Sequence, residues 1–275
     1  MSRAAYILPK VRWGSRLGHA RLVDQLVLLD PISGYSLGET GENVAELYKI
    51  SREDQDQFAF LSQQKAERAI KSNKFREEIV AVQVPQTGRS PAIFDTDEHP
   101  RFGTTLEELS KLKPAFKQNG TITAGNASGL NDGASAVVVM SRKKAKGMDI
   151  HPLVSIRSYA SVGVKPEIMG IGPIPATQKA LQKAGLELKD IDLIELNEAF
   201  AAQSLAVIRE LGMDMEKVNV NGGAIALGHP ISATGCILLN KIIYEMKRRK
   251  SQFGLVTMCI AGGQGIAMIV ENEQK

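Results

Sequence analysis

Beyond His151, strand-like and helix-like segments alternate to the end of the chain, and no other feature of the sequence restricts the fold as much. Leu153 to Tyr159 predicts a strand, Ala176 to Ala184 a helix and Ile191 to Glu195 a strand. Glu198 to Leu211 then predicts a helix, Lys217 to Val220 a short strand and Ser232 to Arg249 a long helix. Two strands, Leu255 to Ile260 and Ile266 to Glu271, close the series. Strands that are apolar on both faces need cover on both, so this order predicts a layered α/β fold.

The stretch up to about Pro114 lacks that regularity and predicts irregular structure with inserted helices. Ser51-Arg52-Glu53-Asp54 is a capping-box pattern ahead of Phe58, Leu61, Ala66, Ala69 and Ile70, predicting a helix from Ser51 to Ser72. Glu78 to Val82 predicts a short strand, and the glycines around Ile32 to Gly38 predict loop. Character changes near Asn119. The run Ala134 to Met140, small or β-branched throughout until its last residue, predicts a strand buried on both faces.

Composition excludes several classes. Hydrophobic residues at 43% and charged residues at 23% suit an ordinary globular chain, and 275 residues suffice for about two domains. No run approaches the roughly 18 apolar residues of a membrane helix. MSRAAYILPKVRWGSR has no continuous apolar stretch, so no secretory signal is expected. Two cysteines, Cys236 and Cys259, cannot build a disulfide framework, and a reduced cytoplasmic setting is expected. The net charge of +4 is densest at Lys247-Arg248-Arg249-Lys250. Without aromatic residues in the run, it reads as a solvated helix end rather than a nucleic-acid surface.

Three clusters carry chemistry. Asn197-Glu198-Ala199-Phe200-Ala201 follows a predicted buried strand, where an amide can hold a water or an oxyanion. Taken alone, it reads more simply as a helix N-cap. The second cluster is Asn221 to Gly235, with glycines at 222, 223, 228 and 235 around His229. Histidine is the side chain whose ordinary pKa suits acid–base work near neutrality, and the glycine framing favours that use over a core histidine. The third is Cys259-Ile260-Ala261-Gly262-Gly263-Gln264-Gly265, between two apolar strands. Successive backbone N–H groups in such a turn can lower a thiol pKa, so Cys259 is expected to be reactive. Cys236, inside a helical pattern, is expected to be inert.

In this order and spacing, NEAFA, GGAIALGHPISATG and CIAGGQG resemble the thiolase family. The resemblance runs through ISREDQDQFA (Ile50 to Ala59), TAGNASGLNDGASA (Thr123 to Ala136) and GIGPIPA (Gly170 to Ala176), and so covers the whole chain. It implies an acyl-CoA C-acyltransferase that makes or breaks the carbon–carbon bond β to a thioester, with coenzyme A thioesters as substrates and no separate cofactor or metal. By the same resemblance, His229 and a water held by Asn197 stabilise an enolate oxygen, Cys259 moves the α-carbon proton, and the Ala261 N–H belongs to a second oxyanion hole. The family usually has glycine at that last position. Ser128, Ala199 and Phe200 are implied in a pantetheine tunnel, and Arg101 and Phe116 near the adenine end. Ser36 and Leu37 depart from the Tyr-His-Met of short-chain acetoacetyl-CoA thiolases.

The family's acyl-accepting cysteine has no counterpart, because no cysteine precedes Cys236. The resemblance therefore implies an N-terminally truncated form. Its parts are a loop domain (1–118), the last strands of a first domain otherwise largely absent (119–150), and a layered α/β/α C-terminal domain (151–275). Homo-oligomerisation, or a partner supplying the first domain, is expected. The rivals are a non-catalytic CoA-binding remnant and one subunit of a split enzyme.

Overall fold

The computed structural model describes residues 6–7, 22–24, 29–30 and 32–273. Apart from Tyr6 and Ile7, the N-terminal stretch read for a secretory signal lies outside these residues. Its first elements are a short antiparallel pair, β1 (Tyr6–Ile7) and β2 (Val23–Asp24). Two helices follow, α1 (Leu37–Leu47) and α2 (Arg52–Lys71), and then an exposed hairpin of β3 (Val82–Gln86) and β4 (Arg89–Phe94). Short helices α3 (Leu106–Ser110) and α4 (Arg142–Gly147) complete this part.

Helix α2 begins where the sequence placed it, with Ser51 Oγ accepting from Asp54 N at 3.0 Å. Helix α1 begins at the end of the stretch Ile32 to Gly38 that is expected as loop. Its start is set by a capping box, in which Ser36 Oγ accepts from Glu39 N and Glu39 Oε2 accepts from Ser36 N at 2.7 Å. That cap outweighs the low helix propensity of Gly38. The glycine itself answers to packing, since a Cβ there would lie 2.2 Å from the Phe116 ring. The strand expected over Glu78 to Val82 begins only at Val82, because Phe75 to Glu78 turns back on itself.

The C-terminal half is one mixed sheet of order β5-β8-β7-β6, formed by β5 (Val154–Gly163), β6 (Leu193–Leu196), β7 (Phe253–Ile260) and β8 (Gln264–Asn272). β6 runs parallel to β7, and the other two pairings are antiparallel. Alternation across the pleat sorts the side chains into two cores. Ile194, Leu196, Leu255 and Ile269 face α5 (Pro173–Ala184) and α6 (Ala201–Leu211). Leu193, Val256 and Val270 face α8 (Thr234–Arg249), packing on Leu238, Ile242, Ile243 and Met246. This is the expected layered α/β/α arrangement, and it explains why β6 is apolar at nearly every position. Burial of each such side chain stabilises the fold by about 1.5–3 kcal/mol. The strand expected at Lys217 to Val220 is reduced to a single bridge, Val218 to Ile194.

The largest departure is Ala134 to Met140. It forms no strand, and Val138 and Val139 are 86% and 68% exposed. Among the described residues no strand lies along it to receive its N–H and C=O groups, so its β-propensity finds no ladder. The basic run ends α8 as expected, with Lys247, Arg248 and Arg249 paired to Glu77, Glu78 and Glu245.

Candidate active site

The parallel pair β6 and β7 delivers two of the expected residues to one end of the sheet. Leu196 stands opposite Thr257, Asn197 N donates to Thr257 O at 3.0 Å, and Cys259 follows two residues later. Asn197 and Cys259 thus leave adjacent strands at their carboxyl ends, where ligands bind in open α/β sheets.

His229 reaches the same place from the loop before α8. Its backbone N–H donates to Gly129 O at 3.1 Å and lies 3.2 Å from Asn131 Oδ1, fixing it to the segment Gly129–Asn131. Its ring is held at both nitrogens: Nδ1 lies 2.6 Å from Thr234 Oγ1, and Nε2 lies 3.4 Å from Asn197 Nδ2. Because Thr234 Oγ1 also donates to Pro230 O at 2.9 Å, its lone pairs face Nδ1. That assigns the ring hydrogen to Nδ1 and leaves Nε2 a lone pair. Burial pushes the His229 pKa below its ordinary 6.5, so the ring is neutral near pH 7.

Asn197 is fully buried, and its Oδ1 has no hydrogen-bond partner among the described residues. A cavity of about 20 Å³ adjoins it, lined also by Gly223, Gly228, Thr234 and Lys241. The loop is braced from below. Lys241 Nζ lies 2.7 Å from Glu195 Oε2 and donates to Gly222 O at 2.6 Å. Glu198 accepts from Ser62 Oγ, Asn219 Nδ2 and Ile225 N at 2.7, 2.7 and 3.1 Å. The last of these caps the short helix α7 (Ala224–Leu227).

Cys259 corrects an expectation. The residue is 7% exposed, packed with Ala45, Ile122, Met169, Ala199, Phe200 and Ala202. Burial pushes its pKa up to about 12, and a backbone hydrogen bond recovers only part of that. Desolvation of a thiolate outweighs the dipoles of the glycine turn, so the resting group is a protonated thiol. Ala261 opens that turn at the surface.

The expected tunnel residues lie on the same side. Ser128 Oγ and N both donate to Ala199 O, at 3.2 and 3.1 Å. Phe116 meets Phe200 edge-on, with ring centroids 6.0 Å apart. Arg101 is exposed and stands off from this group. Its N–H donates to Gln63 Oε1 at 3.0 Å, and Gln63 Nε2 in turn donates to Ile225 O at 3.4 Å. Thr234, Asn131, Glu198 and Lys241 were not singled out from the sequence. Thr234, Asn131 and Glu198 lie inside the quoted motifs, but their roles depend on contacts that local pattern does not show.

The thiolase C-terminal domain model matches residues 150–272, and the thiolase N-terminal domain model matches residues 1–143. The chain belongs to the thiolase family. It is 57% identical to the acetyl-CoA acetyltransferase of Pseudomonas aeruginosa over 99% of its own length and 70% of that protein's. It is 54% identical to that of Cupriavidus necator, with the same coverage. The Bacillus anthracis acetyl-CoA acetyltransferase structure superposes with a TM-score of 0.92 at 48% identity, covering 98% of this chain and 68% of that one. A human mitochondrial 3-ketoacyl-CoA thiolase solved in complex with CoA gives 0.91 at 46% identity, with the same coverage.

As a thiolase, the chain is an enzyme of the acetyl-CoA acetyltransferase type, a family that takes CoA thioesters as substrates and needs no separate cofactor. The N-terminal match corrects one expectation: residues 1–143 fall within the family's first domain, so a chain with that domain largely absent is not supported, and a fragment reading is not borne out. Among the described residues no cluster of His, Cys, Asp or Glu is placed to hold a metal, and no helix is long and apolar enough to cross a membrane.

Proposed function

We propose that this chain condenses acetyl-CoA or cleaves 3-ketoacyl-CoA, with Asn197, His229 and Cys259 supplying the acid–base chemistry. The observation that carries this reading is the convergence of Asn197 and His229, 3.4 Å apart, at the strand ends that also present Cys259.

Each group suits its task. An enolate beside a thioester is costly, and a donor aimed at its oxygen typically supplies ~10²–10³-fold. The cavity beside Asn197 has room for one water. The neutral His229 ring must donate through Nε2 to join that water. Thr234 Oγ1 can donate to Nδ1 instead of to Pro230 O, and that arrangement supports the neutral tautomer carrying its hydrogen on Nε2. A thiol held protonated by burial suits the acid that protonates the departing acetyl-CoA enolate during thiolysis. In condensation the same group, once it has released its own proton to solvent, takes the proton from the α-carbon as thiolate. The Ala261 N–H serves the tetrahedral intermediate.

Ser128, Ala199 and Phe200 line the pantetheine path, with Phe116 and Arg101 towards the adenine. The exposed run Ala134 to Met140 favours a homo-oligomer or a partner chain covering it.

Thiolysis of acetoacetyl-CoA and longer 3-ketoacyl-CoA thioesters, with calorimetric titration of CoA in parallel, tests this reading. Turnover that disappears in His229→Ala and Cys259→Ala supports it. CoA binding without turnover overturns acyl transfer by this chain and leaves a binding role. Failure to bind CoA overturns the tunnel as well.

A further inference from the structure

The turn Ala261–Gly263 after Cys259 is gripped from two sides. On one, Val164 N donates to Gly263 O at 2.7 Å. On the other stands Asp30, 232 residues away in sequence, whose Oδ2 accepts from Gly262 N at 2.9 Å. Asp30 is 1% exposed. Its Oδ1 accepts from Ile32 N and Ser33 N at 2.8 and 3.3 Å, and its backbone closes the same loop through Tyr35 O and Gly34 N.

We propose that Asp30 is a positioning residue for the Cys259 turn, fixing the Ala261–Gly262 peptide and tying its own loop to that turn. The geometry requires such a restraint. Gly262 and Gly263 take φ of 82° and 83°, and two successive residues without side chains cannot hold that conformation by themselves. The loop that carries Asp30 also lies close, with Ile32 Cδ1 3.6 Å from where a Gly262 Cβ would stand. A role confined to Asp30's own loop would use Oδ1 alone, and the Oδ2 bond to Gly262 serves only the distant turn. Burial raises the Asp30 pKa, but the three backbone N–H donors outweigh it and hold the carboxyl below its ordinary range. The group therefore stays ionised, and both oxygens accept, throughout the neutral range.

This inference rests on the thiolase reading only for its catalytic meaning, and its test does not need turnover. Asp30→Asn is the informative substitution. The amide oxygen suits the bonds to Ile32 and Ser33, which places the NH₂ against the Gly262 N–H, donor facing donor. Cys259 and Cys236 are alkylated with iodoacetamide near pH 8, and the two sites are followed separately by peptide mass spectrometry. Asp30→Asn is expected to speed alkylation of Cys259 about ten-fold, equivalent to one unit of thiol acidity, and to leave Cys236 unchanged. Ser33→Ala, on the same loop, keeps both wild-type rates. Unchanged Cys259 reactivity in Asp30→Asn overturns the proposal, and so does a parallel rise at Cys236, which marks general loosening. Should Asp30→Asn not fold, hydrogen exchange on the unaltered chain decides: a protected Gly262 amide supports the tie, and exchange at the rate of an exposed amide overturns it. Faster alkylation in a chain without turnover keeps this inference while the acyltransfer reading falls.

Discussion

At the scale of single residues, the account turns on how His229 is held. Its Nδ1 partner is a hydroxyl that can both accept and donate, so either neutral tautomer of the ring finds a partner there. Thr234→Val removes that partner and is expected to lower turnover about 10- to 100-fold, the cost of a buried hydrogen bond to an active group, whereas Thr234→Ser retains it. A pH effect follows from burial of the same ring. A histidine whose folded pKa is depressed contributes stability above its ordinary value of 6.5, and that contribution is lost as pH falls through the folded pKa. Urea midpoints at about pH 7.5 and 5.0 are therefore expected to fall further in wild type than in His229→Asn. His229 and Cys259 were legible as candidates from motif chemistry, and Asn197 only through the family resemblance. The protonated state of Cys259 was not, because it depends on Ile122, Met169 and Phe200 closing around it from distant segments.

At the scale of elements, the sheet and its helices were legible wherever both faces of a strand are covered. β6, β7, β8, α5, α6 and α8 fall within a few residues of their predicted bounds, because burial and periodicity act on the same positions. Helix α1 was missed, since its start depends on the Ser36–Glu39 box rather than on periodicity. Helix α8 meets β6 through a buried ion pair, Lys241 with Glu195, both at most 5% exposed at the side chain. Burial raises the Glu195 pKa and Lys241 opposes that shift. Lys241→Met leaves the carboxylate unpaired and is expected to destabilise the chain by about 3–5 kcal/mol in urea denaturation. A loss below about 1 kcal/mol would show that the pair does not brace the site loop.

At the scale of the whole molecule, the chain places the candidate acid–base residues on a layered domain and leaves the apolar run Ala134 to Met140 exposed. Ala134 to Met140 was read correctly as apolar and β-prone, but sequence does not say whether a strand partner is at hand. An exposed run without a strand neighbour among the described residues, with Val138 and Val139 at its surface, promotes association. Concentration-dependent association is expected in light scattering, and Val138→Lys with Val139→Glu is expected to reduce it. The central claim, that Asn197, His229 and Cys259 together form and quench a thioester enolate, is tested most directly by exchange of the α-protons of acetyl-CoA in D₂O. That exchange requires enolisation and no acyl carrier. The account predicts that the chain catalyses deuterium uptake, with losses of at least about 100-fold in Cys259→Ala and Asn197→Ala. Absence of catalysed exchange, or exchange that survives both substitutions, would contradict it.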